Sequence, residues 1–150
     1  IFDNVHLVGV ALCSTGLLLI LSKRFKNNQK PISFSSSILV GVMQAIAIIP
    51  GISRSGSTIS VCMYLGIPPK EAARFSFLLS IPVILGASIL GFLEMESNNT
   101  FNYLTLTVAI TTSFVTGVLA LKILLKILET GRFYFFGFYC LITGVITIFI

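Results

Sequence analysis

The segment GVMQAIAIIPGISRSGST, residues 41–58, limits what this chain can fold into more than any other stretch. Apolar runs flank its polar centre, and each is too short to cross a bilayer. Residues 38–49 make ~18 Å of helix and residues 57–65 make ~14 Å, at ~1.5 Å per residue. A hydrocarbon core is ~30 Å thick and needs ~20 apolar residues. The spacing predicts two half-helices joined by the polar loop 50–56. Together they form a re-entrant hairpin over about 38–65, with its tip near the membrane midplane. Irregular backbone survives at that depth only inside protein or beside a wet cavity. The tip carries Arg54, and an arginine at mid-bilayer costs ~2.5–3.5 kcal/mol on insertion scales. So costly a charge predicts an anionic ligand.

The rest of the chain is membrane-like. Only 10% of residues are charged and 55% are hydrophobic, against about 25% charged in soluble domains. The fold class expected is an all-α integral membrane bundle, one domain over 1–150, with spans at 5–22, 69–93, 103–121 (running on to about 125) and 133–150. No cleavable signal peptide is expected, because residues 1–22 lack a basic start and a small-residue cleavage site. The sequence opens on Ile rather than Met, so an upstream portion is expected. Ser14, Thr15 and Gly16 read as helix-packing residues, and Ala87 with Gly91 and Ser113 with Gly117 as further small-residue contact faces. Ser35, Ser36 or Ser37 is expected to cap the first half-helix. Gly66, Pro68 and Pro69 end the hairpin and open the next helix, which Pro82 should kink. The aromatic run 133–136 suits an interface.

The net charge of +5 follows topology rather than a nucleic-acid patch. Lys23, Arg24, Lys26 and Lys30 stand together with no acidic residue, which predicts that loop 23–30 is cytoplasmic. The hairpin then enters and leaves from that side. The acidic stretch 94–102 lies outside, with an Asn98-Asn99-Thr100 pattern that resembles a glycosylation acceptor. Lys122, Lys126 and Arg132 are inside and the C-terminus is outside. Arg54 alone is carried inward. Cys13, Cys62 and Cys140 sit in apolar runs, and their odd number argues against a disulfide framework. His6 is expected in an interfacial or core role rather than as a ligand or general base.

The tip has the parts of a phosphate site. Gly51 and Gly56 permit tight turns and close backbone approach. A second half-helix beginning near Ser57 would aim its unpaired N–H groups and positive dipole end at the loop. Ser53, Ser55, Ser57 and Thr58 supply hydroxyls, and Arg54 a guanidinium fork matched to phosphate oxygens. Gln44, nearly two turns before Pro50, is placed to hydrogen-bond into the cavity. Gly51 and Gly56 have P-loop spacing, but Ser57 stands where that motif needs Lys and no strand precedes it. Arg74 can pair with Glu71 at i,i+3.

Residues 41–58, followed by AARFSFLLSIP at 72–82, resemble the undecaprenyl-diphosphate phosphatase family, also called the bacitracin-resistance protein family. The PGxSRSGxT pattern is long and specific. The resemblance implies a bacterial inner-membrane enzyme of two inverted repeats, each with a re-entrant hairpin. It would remove one phosphate from undecaprenyl diphosphate to recycle the lipid carrier of wall polymers, through a site that opens outward. By motif, Ser53, Arg54 and Thr58 match the catalytic loop, Arg74 the arginine of its ARFSF segment, and Gln44 the glutamine before the proline. Gly51, Ser55, Gly56 and Ser57 join Gln44 and Arg74 as expected substrate contacts. The family's glutamate-rich motif and its serine-threonine-glycine-histidine loop are absent. The chain looks like the second repeat plus the last span of the first. The resemblance implies a divalent cation, Mg or Ca, with ligands on the missing N-terminal half. None of Asp3, Glu71, Glu94, Glu96 or Glu129 is a good substitute. Partners implied are a polyprenyl diphosphate lipid, the membrane and that half; a homodimer stays open, and nucleic acid is not expected. Two alternatives stand beside the phosphatase: half of a lipid-phosphate transporter or flippase, and a piece without turnover.

Overall fold

The computed structural model describes residues 5–22, 29–93 and 103–149. Among these residues there are six helices and no strand: α1 (Val5–Leu21), α2 (Phe34–Ile46), α3 (Arg54–Tyr64), α4 (Pro69–Leu93), α5 (Tyr103–Glu129) and α6 (Tyr134–Phe149). Most of the basic stretch 23–30, the acidic stretch with its Asn98-Asn99-Thr100 pattern, and Asp3, Glu94 and Glu96 lie outside the described residues.

The short apolar runs are separate helices, as their length requires. α2 and α3 measure ~20 Å and ~17 Å at ~1.5 Å per residue, and residues 47–53 join them. Lys30 N–H donates to Gly66 O at 3.0 Å, so the segment leading into α2 meets the segment leaving α3. The helix pair is a hairpin closed at its base. Its first helix starts earlier than expected. Ser33, not Ser35, Ser36 or Ser37, is the N-cap: Ser36 N donates to Ser33 Oγ at 3.2 Å and Ser33 N donates to Ser36 Oγ at 2.8 Å. The apolar run began at Ile38, but a capping box lets serines occupy a helix's first turn.

α1 and α6 make the most extensive helix contact among the described residues. They run antiparallel, with Gly9 opposite Gly144 and Gly16 opposite Gly137. A Cβ on Gly16 would come within 2.8 Å of Gly137 O, and one on Gly137 within 2.7 Å of Gly16 O. The backbones touch because neither helix carries a side chain there. His6 Nδ1 lies 2.9 Å from Ile148 O at the far end of this seam. The faces expected at Ala87 with Gly91 and at Ser113 with Gly117 are not packed among the described residues. A Cβ on Gly91 or Gly117 meets nothing within 4 Å. A small residue permits close approach but selects no partner; the α1 and α6 glycines pair because the antiparallel register sets them opposite one another.

α4 packs its first half on the hairpin, and Pro82 lies within a continuous helix. Its second half, with Ile84, Ile89 and Phe92, is exposed, as are Leu104, Ile110 and Phe114 on α5. Both helices are long and apolar enough to cross a membrane, and so much exposed hydrocarbon requires a lipid or protein cover. α5 runs to Glu129, beyond the expected end near 125. Lys126 occupies its last turn, where a cation suits the helix dipole.

A buried cluster that includes Leu19, Val40, Ile59, Ala72 and Leu128 joins the hairpin to α1, α4 and α5. At this end Lys70 Nζ meets Glu129 Oε1 at 3.0 Å and Arg74 Nη1 meets Glu71 Oε1 at 3.1 Å. Every described charged residue except Arg54 lies at this end or within about two helical turns of it.

Replacing Gly16 with Val forces the α1–α6 backbones apart and should destabilise the protein by ~1–3 kcal/mol. Gly117→Val, in open space, should stay within about 0.5 kcal/mol of wild type. Thermal unfolding in detergent separates the two; equal effects would contradict the seam.

A candidate anion site at the hairpin tip

The site begins with a cap. Ser53 is the N-cap of α3, and its Oγ accepts from Gly56 N at 3.2 Å. Ser57 N donates to Ser53 O at 2.9 Å. The cap starts the helix three residues before the expected Ser57, so Arg54, Ser55 and Gly56 form its first turn rather than part of a loop. The amides of Arg54 and Ser55 precede the first intrahelical bond and belong to the helix's positive end. A Cβ on Gly56 would lie 2.9 Å from Ser53 Oγ, so the glycine leaves the cap room. With its acceptor occupied, the Ser53 hydroxyl retains a proton to donate.

The tip is clamped to α1. Thr15 is fully buried. Its Oγ1 accepts from Ser53 N at 3.2 Å and sits 3.1 Å from Ala11 O and 3.4 Å from Gly51 O. Gly51 has φ +93°, and a Cβ on it would fall 2.5 Å from Val8 O. Only glycine lets the turn lie against α1 in that conformation. Val8, Ala11 and Thr15 span the middle of α1, so the tip lies level with that helix's centre. Farther along, Tyr64 Oη donates to Leu18 O at 2.8 Å.

α4 supplies the opposite wall. Thr58 is fully buried. Its Oγ1 lies 2.8 Å from Arg54 O and 2.6 Å from Ser76 Oγ. When Thr58 donates to the carbonyl, Ser76 donates to Thr58, and α3 is fastened to α4. Gln44 Nε2 donates to Leu79 O at 3.2 Å, next to the Leu78 carbonyl that Pro82 deprives of its helical donor. Gln44 thus bonds α4 rather than the loop. Arg54 projects beside these braces into a cleft of about 370 Å³ shared with Ser55, Ser76, Phe77, Ser80 and Ile84. It is exposed there and, among the described residues, has no ion pair.

The structure therefore gathers Gly51, Ser53, Arg54, Ser55 and Gly56 at one tip. Ser57 is buried behind it, and its Oγ has no partner among the described residues. Arg74 is not part of the lining; it is exposed and paired with Glu71. Thr15, Ser76 and Ser80 were not among the expected site residues. Ser76 and Ser80 lie four apart within the ARFSFLLS run, a spacing that puts both on one helix face. Thr15 gave no signal beyond a hydroxyl in an apolar helix. Among the described residues no group of three or more His, Cys, Asp or Glu side chains gathers to hold a metal ion.

Residues 1–146 match the family model described as bacitracin resistance protein BacA. The chain belongs to the BacA family. It is 41% identical to an undecaprenyl-diphosphatase of Korarchaeum cryptofilum over 97% of this chain and 55% of that protein. The undecaprenyl-diphosphatase of Desulforapulum autotrophicum is 42% identical over 99% of this chain and 55% of its own length. Undecaprenyl-diphosphatase 1 of Bacillus cereus strain ATCC 14579 is 39% identical over 97% of this chain and 55% of its length. The chain thus spans a little over half the length of these BacA-family relatives.

Thr15→Val keeps the shape of Thr15 but leaves Ser53 N without its acceptor, a loss of ~1–3 kcal/mol for a buried donor. Thr15→Ser should retain most of the stability. Hydrogen exchange at Ser53 should quicken in the valine variant alone, and unchanged exchange would contradict the clamp.

Proposed function

We propose that this chain carries the anion-binding half of an undecaprenyl-diphosphate phosphatase, which converts undecaprenyl diphosphate and water into undecaprenyl phosphate and inorganic phosphate. One observation carries the reading: an arginine on the first turn of a capped helix, without an ion pair among the described residues, beside serine hydroxyls in a cleft open to a phosphate group. The undecaprenyl-diphosphatases it resembles supply the substrate class.

In this reading the terminal phosphoryl group occupies the Arg54 cleft. An oxygen nucleophile attacks terminal phosphorus in line with the bridging oxygen. The bond to that oxygen breaks, and undecaprenyl phosphate leaves. Arg54 grips two non-bridging oxygens, and its hold tightens as charge accumulates in the transition state. The first amides of α3 and the Ser53 hydroxyl add donors aimed at the same charge. Ser53, whose oxygen already caps α3, positions phosphate oxygens in this scheme. Thr58 and Gln44 hold the walls. Ser80 extends the hydroxyl lining of the cleft along α4.

The described residues do not fit a divalent cation, since Glu71 and Glu129 are each paired with a base at the far end. We assign the cation's ligands and the acid–base carboxylates to the part of the relatives' length that this chain does not span. No step here passes through the metal. The hairpin is read as re-entrant in the plasma membrane. Its closed base and the basic end face the cytoplasm, and the cleft opens outward along α4.

Arg54→Lys keeps the charge and loses the fork. In the complete enzyme in detergent, with the part of the relatives' length that this chain does not span, inorganic phosphate release from undecaprenyl diphosphate should fall by ~10²–10³-fold. Turnover near wild type would refute the bidentate role. A wild-type protein that moves the lipid across vesicles and releases no phosphate would instead support a transporter.

A further inference from the structure

Ser55 stands on the wall of two cavities. One is the Arg54 cleft. The other, about 400 Å³, lies on the opposite side of the α3 N-terminus and runs between α5 and α6. Ser53, Ser55 and Gly56 close one end of it, and Leu19, Ala120, Leu124, Phe133 and Cys140 build much of the rest. Gly56 presents no side chain, so the cavity reaches the backbone of the helix start. Ala120 is small and exposed on the α5 wall. Phe136 and Tyr139 belong to this cavity and also to the next, about 550 Å³, which Ile127, Arg132 and Phe135 also line. The result is a polar cleft with an arginine that has no ion pair among the described residues, joined across one serine to a largely apolar groove whose farther lining includes Arg132.

We propose that the α5–α6 groove holds the first isoprene units of the substrate's hydrocarbon chain, with Ser55 at the junction between diphosphate and tail. This rests on the phosphatase reading above and adds where the tail lies. An occupant must be anionic at the α3 end and hydrocarbon thereafter. A prenyl diphosphate has both properties in that order; a peptide would leave backbone groups unpaired against Leu124 and Phe133. The volume falls within the range of lipid- and drug-sized sites. The groove holds part of a long polyprenyl chain and leaves the remainder to the bilayer. Binding energy from those units can then position the reacting phosphorus, so chain length affects turnover as well as retention.

The test is chain-length discrimination in the complete enzyme in detergent. Ala120→Trp narrows the groove from an exposed position, away from the cleft. Val115→Trp adds the same ring to an exposed site on α5 that lines neither cavity. Substrates are undecaprenyl diphosphate and, as the short one, inorganic pyrophosphate, which carries the two phosphates and no isoprene unit. Ala120→Trp should lower kcat/KM for the long substrate by about tenfold or more and leave the short one within about twofold. Val115→Trp should leave both within about twofold. An Ala120→Trp variant that treats both substrates like wild type, or slows both equally while still folded by thermal unfolding, overturns the groove assignment. A wild-type protein that hydrolyses neither diphosphate overturns the phosphatase reading instead.

Discussion

Arg54 sets the physical problem that the rest of the structure answers. Every other described charge lies at or near one end of the molecule, where Lys70 meets Glu129 and Arg74 meets Glu71. Arg54 is level with the middle of α1, in a cleft it shares with three serines, Phe77 and Ile84. A guanidinium there is tolerated only with water, dipoles or an anion for company. The chain supplies hydroxyls from Ser55, Ser76 and Ser80 in the cleft. The helix start at Arg54 adds to the positive potential rather than relieving it. Such an arrangement would gain from a bound phosphate, which is the basis of the proposed site.

Holding that arrangement requires a rigid frame. The α1–α6 seam brings two helices into backbone contact through four glycines, and α1 then serves as the post for the tip. Thr15 and Gly51 fix the turn on one side. Thr58, Ser76 and Gln44 fasten α3 and α2 to α4 on the other. Most of these bonds join positions far apart in sequence, so the site depends on the packed bundle, and its buried donors and acceptors have few alternative partners. The exposed halves of α4 and α5 have no such cover within the described residues.

Much of this was legible because membrane thickness is a stringent ruler. Two apolar runs of insufficient length, with Pro50 and Gly51 between them, had to be a broken element, and α2 and α3 are broken there. α4 begins and ends where Pro69 and the last apolar residue, Leu93, placed it. The tip residues Ser53, Arg54 and Ser55 stood out by their chemistry. Helix starts were less legible. Ser33 and Ser53 cap earlier than the apolar runs implied, since capping is a matter of side-chain geometry and not hydropathy. The tertiary braces were invisible for another reason. Nothing in an apolar helix marks Thr15 as the acceptor for an amide 38 residues later. The small residues on α4 and α5 looked as able to pack as those on α1 and α6. Only register distinguishes them.

The account stands on a polar helix start being wet and deep at once. A nitroxide attached at Ser55→Cys, in a protein whose three native cysteines are replaced by alanine, reports both properties in lipid nanodiscs. Power saturation should place it near the depth of a label at the centre of α1, with strong relaxation by a water-soluble nickel chelate that addition of inorganic pyrophosphate reduces. A label that reports headgroup depth, or a deep one that the nickel complex never reaches, would contradict the account.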